Sequence, residues 1–441
     1  MKKFTAWVIL AALFGTLVFA MGRLLKSSEP NVILIVLDTL RADHLGTYGY
    51  ARDTSPHLDQ FAAENLQFNY AMTAAPWTPA SLASMFSGVY PSRHGMMPPD
   101  GRGLAKQSSH RLESQVETLA EIFSAHGYLT AGITPNPWLK SEFGYNQGFD
   151  RYHYRDRDRA AEINGAAFKV ISEITKQKKP FFLFLHYLDP HDPYDAPEPY
   201  GSMFKGKPPG LDYAPEMEQL INAYDGEIRY MDDRVGELFA FLKEQGLYDN
   251  SRIVILGDHG EQFKEHGNLT HGFMVHTEEL HIPLLVKSGQ PHRAPDFTVS
   301  SIDIFPTLLE MAGIPVPATA QGLSLLNDEN FRAREGVLSE IKRKYNQKAF
   351  TNFEGRKLIL EYPLESGLVQ EDPAGGKVLG VFDRHSDYAE LHPSLDPALI
   401  APLKQELSKL YADTVKGRIE STEAPVSDKT LEQLKSLGYL H

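Results

Sequence analysis

The chain has 441 residues, of which 42% are apolar and 23% charged, and this composition excludes a largely disordered chain and a protein with many membrane spans. One large domain with a smaller one attached is expected at this length, because single domains rarely exceed about 250 residues. The net charge of −13, without any basic run, argues against nucleic acid as a partner.

Residues 1–27 have the pattern of an export element. Two lysines precede an uncharged, mostly apolar run from Phe4 to Met21. The run nearly spans the roughly 30 Å core of a membrane, and Val18 and Ala20 offer small residues for signal-peptide cleavage. We expect an inner-membrane anchor that leaves the protein facing the periplasm, with a cleaved signal peptide and a secreted or periplasmic protein as the alternative. The chain has no cysteine, which fits an oxidising compartment and excludes thiolate metal ligands.

Residues 28–330 alternate short apolar runs with amphipathic stretches. Continuous apolar runs, typical of strands buried on both faces of a sheet, lie at 31–38, 129–136, 180–189, 251–260 and 282–289. Stretches with helical periodicity lie at 114–127, 160–177 and 214–246. This alternation predicts an α/β sandwich with a mainly parallel central sheet.

Residues 331–441 have a different pattern. Short, turn-linked strands at 347–363 and 377–391 precede a helix at 397–414. The region is predicted to form a smaller subdomain, a small antiparallel sheet with a covering helix, followed by a short amphipathic tail.

Polar residues follow four of the predicted strands. They are Asp38 after the first, Asn136 after the second, His186, Asp189 and His191 after the third, and Asp258 and His259 after the fourth. One aspartate after a strand is more often a cap or turn residue than a functional one. Ligands of open α/β sheets, however, bind at the carboxyl ends of the strands, and four such ends with polar residues predict the functional site.

The stretch from Thr78 to Gly88 has the pattern of a helix. Thr78 is predicted as its N-cap, Pro79 as its first residue and Gly88 as the residue just past its end. A capping role alone would account for Thr78. A hydroxyl at a helix N-terminus also lies where unpaired N–H groups and the helix dipole favour an anion, so an oxyanion or phosphoryl group would be held well there.

Five segments resemble the sulfatase family of the alkaline phosphatase superfamily in order and spacing. They are 31–50, 75–95, 184–194, 256–272 and 301–313, and the similarity covers residues 30–325 well. The resemblance implies an alkaline phosphatase-like sandwich that acts on phosphoric or sulfuric esters. It also implies a divalent metal, with ligands at the positions of Asp38, Thr78, Asp258 and His259.

Two departures from the family pattern bear on the chemistry. Thr39 stands where many sulfatases keep a second carboxylate, and oxygens with one imidazole favour Zn or Mn, with Ca or Mg as alternatives. Sulfatases carry a cysteine or serine that is oxidised to formylglycine, in the pattern Cys/Ser-x-Pro-Ser-Arg. The corresponding residues here run from Thr78 to Leu82, so no formylglycine is expected and the arginine is missing.

The threonine resembles that of phosphoethanolamine and lipoteichoic-acid phosphotransferases. The expected activity is hydrolysis or transfer of a phospho(di)ester in the cell envelope, with Thr78 as a metal-activated nucleophile. His191 and His271 are expected to protonate the leaving oxygen or contact the anion, and Asn136 and His186 to line the substrate pocket. The substrate would be an anionic ester of a small molecule, lipid or glycan.

Two alternatives remain open. The first is a sulfatase that uses unmodified Thr78 on envelope or extracellular glycans or on aryl sulfates. The second is an inactive, metal-containing binder of glycans or lipids. The second is disfavoured because Asp38, Asp258 and His259 are all present.

Overall fold

The computed structural model describes residues 29–97, 108–211, 213–289, 297–326, 334–367, 369–370 and 372–437, so the predicted export element lies outside it. The strands are, in chain order, β1 (Asn31–Leu37), β2 (Leu66–Gln67), β3 (Ala71–Met72), β4 (Ser108–His110), β5 (Leu129–Thr134), β6 (Arg151–Tyr154), β7 (Phe181–Tyr187), β8 (Ser251–Gly257), β9 (Gln262–Phe263), β10 (Leu269–Thr270), β11 (His281–Ile282), β12 (Leu284–Lys287), β13 (Val299–Ser300), β14 (Gly336–Lys342), β15 (Asn346–Asn352), β16 (Arg356–Tyr362), β17 (Lys377–Asp383) and β18 (Glu423–Pro425). The α-helices are α1 (Pro56–Glu64), α2 (Thr78–Ser87), α3 (Pro91–His94), α4 (Leu119–Ala125), α5 (Ala160–Ile174), α6 (Glu218–Glu244), α7 (Thr277–Leu280), α8 (Ile304–Met311), α9 (Pro397–Thr414) and α10 (Asp428–Ser436). Within these described ranges, none of the helices has the length and apolar character needed to cross a bilayer.

Seven strands form the central sheet, in the order β2-β12-β8-β1-β7-β5-β6. The five strands from β8 to β6 run parallel to one another. Strand β12 pairs antiparallel with β8, and β2 pairs antiparallel with β12. The predicted α/β class with a mainly parallel sheet is confirmed. Because β1 lies between β7 and β8, the strand order reverses around it, and ligands bind such sheets at the carboxyl ends next to this point.

The central sheet is covered on both faces. Val32 and Leu34 of β1 belong to the core that contains α2, α4 and α8, while Ile33 and Ile35 belong to the core that contains α1, α5 and α6. All four side chains are fully buried. A strand whose successive residues are all apolar satisfies both cores at once, since its side chains alternate between the two faces.

A second sheet follows the first along the chain. Strands β14 to β17 pair antiparallel in chain order, and Leu403 and Leu407 of α9 pack on Leu338, Phe350 and Leu358 of that sheet. The predicted small antiparallel sheet with its helix is confirmed. The sheet also contacts the segment that leads into α2, where Ser339 Oγ donates to Thr73 O at 2.6 Å.

Helix α2 corrects one prediction. The residue at the N-cap position is Trp77, and Thr78 is already the first helical residue. The backbone shows why, because Ser81 N donates to Trp77 O at 3.0 Å and closes the first helical turn on Trp77. The predicted end is confirmed, since Gly88 adopts the left-handed conformation with φ 69°.

Candidate active site

Asp38 lies at the centre of the site, directly after β1. Its side chain is fully buried, and its Oδ2 accepts a hydrogen bond of 2.8 Å from Asn136 Nδ2. His186 Nε2 of the adjacent strand β7 lies 3.4 Å from the same oxygen. Burial, followed by repulsion from Asp258, raises the pKa of Asp38 well above its ordinary value. A carboxylate in this position needs a compensating cation to stay ionised.

Asp258 and His259 follow the neighbouring strand β8. Oδ1 of Asp258 accepts backbone N–H groups from Thr39 at 3.1 Å and from His259 at 2.8 Å. The other oxygen, Oδ2, lies 3.5 Å from His259 Nε2. Thr39 can donate in this way because its backbone adopts the left-handed conformation, with φ 56°, directly after Asp38. The turn after β1 therefore binds the carboxylate of the next strand.

Thr78, in the first turn of α2, directs its side chain toward His259. Its Oγ1 lies 3.2 Å from Nε2 of His259, and both side chains are fully buried. Ser81, one turn further along, holds the helix in place by donating to Asp258 O at 2.7 Å. His259 donates its Nδ1–H to Gly260 O at 2.9 Å, so Nε2 is the ring nitrogen that faces Thr78 and the two carboxylates.

These groups have the character of a metal site. Oxygen or nitrogen atoms of Asp38, His186 and Asp258 all lie within 4.8 Å of one another. Within the described residues, Asp38 Oδ1 and both ring nitrogens of His186 are buried without a hydrogen-bond partner. Within the same ranges, the ion pairs of the two carboxylates are all to histidines. Two buried carboxylates with unsatisfied atoms and a neutral imidazole fit a divalent cation.

Two more predicted histidines form a second layer. The ring of His271 lies between those of His259 and His191, at centroid distances of 4.4 and 4.9 Å. Burial lowers the pKa of His191 to about 4, and burial, then His259 and His191, lower that of His271 well below 6.5. Burial likewise lowers the pKa of His186 to about 3. The three rings are therefore neutral at pH 7 in the protein alone.

Glu261 is a residue of this layer that the sequence did not single out. Its Oε1 lies 3.1 Å from His271 Nδ1, and its Oε2 accepts the hydroxyl of Tyr194 at 2.9 Å. Burial raises the pKa of Glu261 well above its usual range. The contact with His271 fixes the orientation of the imidazole.

The structure brings together the eight residues to which the sequence analysis assigned a catalytic, substrate-binding or metal-binding role. Six of them meet around Asp38 and Thr78, His271 lies next to His259, and His191 lies next to His271. The geometry differs from the expectation in one respect: His186, predicted to contact substrate, lies among the groups that fit a metal. Asp189 lies apart, because its Oδ2 accepts the backbone N–H of Ala160 at 3.0 Å at the start of α5.

Comparison with known proteins points to one family. A family model described as "Sulfatase" matches residues 30–314. The chain is 26% identical to the multifunctional alkaline phosphatase superfamily protein PehA of Trinickia caryophylli, over 88% of this chain and 92% of that protein. It is 25% identical to an arylsulfatase of Clostridium perfringens, over 67% and 78% of the two chains. The solved structure of the phosphonate monoester hydrolase of Agrobacterium radiobacter shares the fold, with a TM-score of 0.71 at 19% identity over 87% and 96% of the chains.

Proposed function

This chain belongs to the sulfatase family and is thus a hydrolase of sulfuric or phosphoric esters, and we propose that it uses Thr78 as the nucleophile on a phosphate ester. The observation that carries the proposal is the contact of 3.2 Å between Thr78 Oγ1 and His259 Nε2, inside a fully buried group with Asp38 and Asp258. A hydroxyl so placed is aimed at the centre of the site.

Asp38, Asp258, His259 and Thr78 would hold a divalent ion, with His186 as a further ligand. The mixture of oxygen and imidazole donors favours Zn or Mn. When bound, the ion lowers the pKa of the threonine hydroxyl and neutralises charge on the ester. Asn136 keeps the carboxylate of Asp38 oriented through its hydrogen bond of 2.8 Å.

The side chains supply the remaining steps. Thr78 Oγ forms a bond to phosphorus while the bond to the leaving alcohol breaks. His191 or His271, neutral in the protein alone, takes up a proton as Thr78 loses its own and passes it to the leaving oxygen. The proton lost by Thr78 balances the one that the leaving group takes. Water or an acceptor alcohol then attacks the phosphorus of phospho-Thr78 and releases the threonine oxygen.

The chemistry of threonine favours phosphate over sulfate. A formylglycine hydrate expels its bound sulfate through its second hydroxyl, which a threonine ester lacks. A sulfated Thr78 would depend on direct attack by water, whereas a phosphoryl group transfers in line to water or an alcohol. The second candidate, a sulfatase with unmodified Thr78, is favoured by the similarity to an arylsulfatase. An envelope location rests on the apolar N-terminal segment of the sequence.

Aryl phosphate and aryl sulfate esters separate these two candidates. With Zn or Mn added, we expect faster release of phosphate, almost complete loss of turnover in Thr78→Val, and retained turnover in Thr78→Ser. Valine keeps the shape of threonine without the hydroxyl, so Thr78→Val removes only the proposed nucleophile, and Thr78→Ser, which keeps a hydroxyl, is the control. Mass measurement of the Thr78 peptide after exposure to substrate should find a phosphoryl adduct. Faster sulfate release, or turnover by Thr78→Val, would contradict the proposal.

A further inference from the structure

The hairpin that joins β14 to β15 reaches the active site from the C-terminal sheet. Glu340 N donates to Ala74 O at 2.9 Å, next to the segment that leads into α2. On the other side, Val275 N donates to Gln347 Oε1 at 3.3 Å, next to the loop that carries His271. The turn of the hairpin is thereby fixed between the two loops that supply Thr78 and His271.

Arg343 lies in that turn. A Cβ atom placed on Gly272 would lie 3.3 Å from Arg343 Nη1, 3.5 Å from Pro76 O and 3.6 Å from Trp77 Cδ1. The guanidinium thus lies beside the residue that precedes Thr78 and beside the one that follows His271. Its Cζ also lies 4.9 Å from the ring centroid of Phe273, within the range of a cation–π contact. Gly272 has φ 79°, so a side chain there is disfavoured by the backbone as well as by these neighbours.

In the family motif an arginine follows the nucleophile by four residues, but in this chain that position carries no positive charge. Leu82 occupies it, and its side chain is fully buried in the core of the large domain. An anionic ester in the site would be stabilised by a cation besides a metal, and a guanidinium is suited to this because its N–H groups match two phosphate or sulfate oxygens at once.

We propose that Arg343 binds the non-bridging oxygens of the ester's phosphoryl or sulfuryl group and so replaces the arginine missing at Leu82. The hairpin of the C-terminal sheet then completes a site whose other groups come from the large domain. This inference rests on the anionic ester of the proposed function, and it holds whether or not Thr78 is the nucleophile.

The affinity for inorganic phosphate, measured by calorimetry with Zn or Mn bound, tests the inference without turnover. We expect Arg343→Ala to weaken phosphate binding by about 10- to 100-fold, the usual loss for a charged hydrogen bond. KM for an aryl phosphate should rise by a similar factor with a smaller change in kcat. Added guanidinium should restore part of the affinity.

Lys344→Ala is the matched control, because Lys344 belongs to the same turn and its Nζ donates to Asn268 Oδ1 at 2.7 Å. It should leave phosphate affinity unchanged. Arg343→Gln, which keeps most of the side-chain length, guards against a folding defect in Arg343→Ala and should show the same loss. Unchanged affinity in both Arg343 variants, or an equal loss in Lys344→Ala, would overturn the inference. Turnover by Thr78→Val with phosphate binding still lost in Arg343→Ala would refute only the nucleophile.

Discussion

Replacing His266 by glutamine should change how the stability of the protein depends on pH. His266 Nδ1 lies 2.7 Å from Glu278 Oε1, and its ring stacks on that of His276 at a centroid distance of 3.7 Å. Burial alone would lower the pKa of His266, but the hydrogen bond and the charge of Glu278 raise it to about 9 from 6.5. This rise corresponds to about 3 kcal/mol of folding free energy.

The sign follows from the raised pKa. The folded state binds the proton of His266 more tightly than the unfolded chain, so the contribution is fully present below pH 6.5 and is lost as the pH rises through about 9. Urea unfolding between pH 6 and pH 10 should therefore show a loss of stability that is about 3 kcal/mol larger in the wild type than in His266→Gln. His153→Gln, at an exposed histidine of β6, is the control and should behave like the wild type. Parallel pH profiles for the wild type and His266→Gln would refute the reasoning.

Three further changes test separate parts of the structure. Glu261→Gln keeps the shape of the side chain but weakens the support of His271, and steady-state kinetics should show kcat reduced by about 10-fold or more with little change in KM. His186→Ala should weaken Zn binding by about 10-fold or more in a chelator competition, and unchanged affinity would remove His186 from the ligand set. Gly88→Ala places a Cβ 2.7 Å from Phe305 Cδ1 at a φ of 69° and should cost about 2–4 kcal/mol in urea unfolding, whereas wild-type stability would show that the helix end can shift.

Four of the five parallel strands of the central sheet could be predicted because each is a largely apolar run, whereas the edge strand β6, Arg151–Tyr154, has the sequence RYHY and was not predicted. The predicted run 31–38 corresponds to Asn31–Leu37, and the predicted helix 397–414 has the observed bounds of α9. Strand β14, Gly336–Lys342, was not predicted. Its sequence mixes charged and apolar residues, and its buried Glu340 pairs with Lys348 across the hairpin and accepts the backbone N–H of Ser92 at 3.0 Å. Long-range pairing of this kind leaves no local signal.

The same distinction explains what the sequence could predict of the site. Asp38, Asn136 and Asp258 lie at strand ends, and the topology of a parallel sheet brings such ends together whatever the connecting loops do. Glu261 and Arg343 reach the site through a loop and through the docking of a second sheet. Nothing in their neighbouring residues distinguishes them from surface charges, so only the fold places them beside His271.

The position of Thr78 in its helix bears on the capping explanation of this residue. An N-cap threonine would accept a backbone N–H of its own first turn, and its oxygen would then be occupied by structure. Here the cap position belongs to Trp77, and the carbonyl of Trp77 accepts the N–H of Ser81 at 3.0 Å. Moving the threonine one residue into the helix turns its Oγ1 away from the helix backbone and toward His259 Nε2 at 3.2 Å. The expectation that Thr78 is the N-cap was therefore wrong. Its hydroxyl, which a cap would use to accept a backbone N–H, is instead directed toward His259 in the candidate active site.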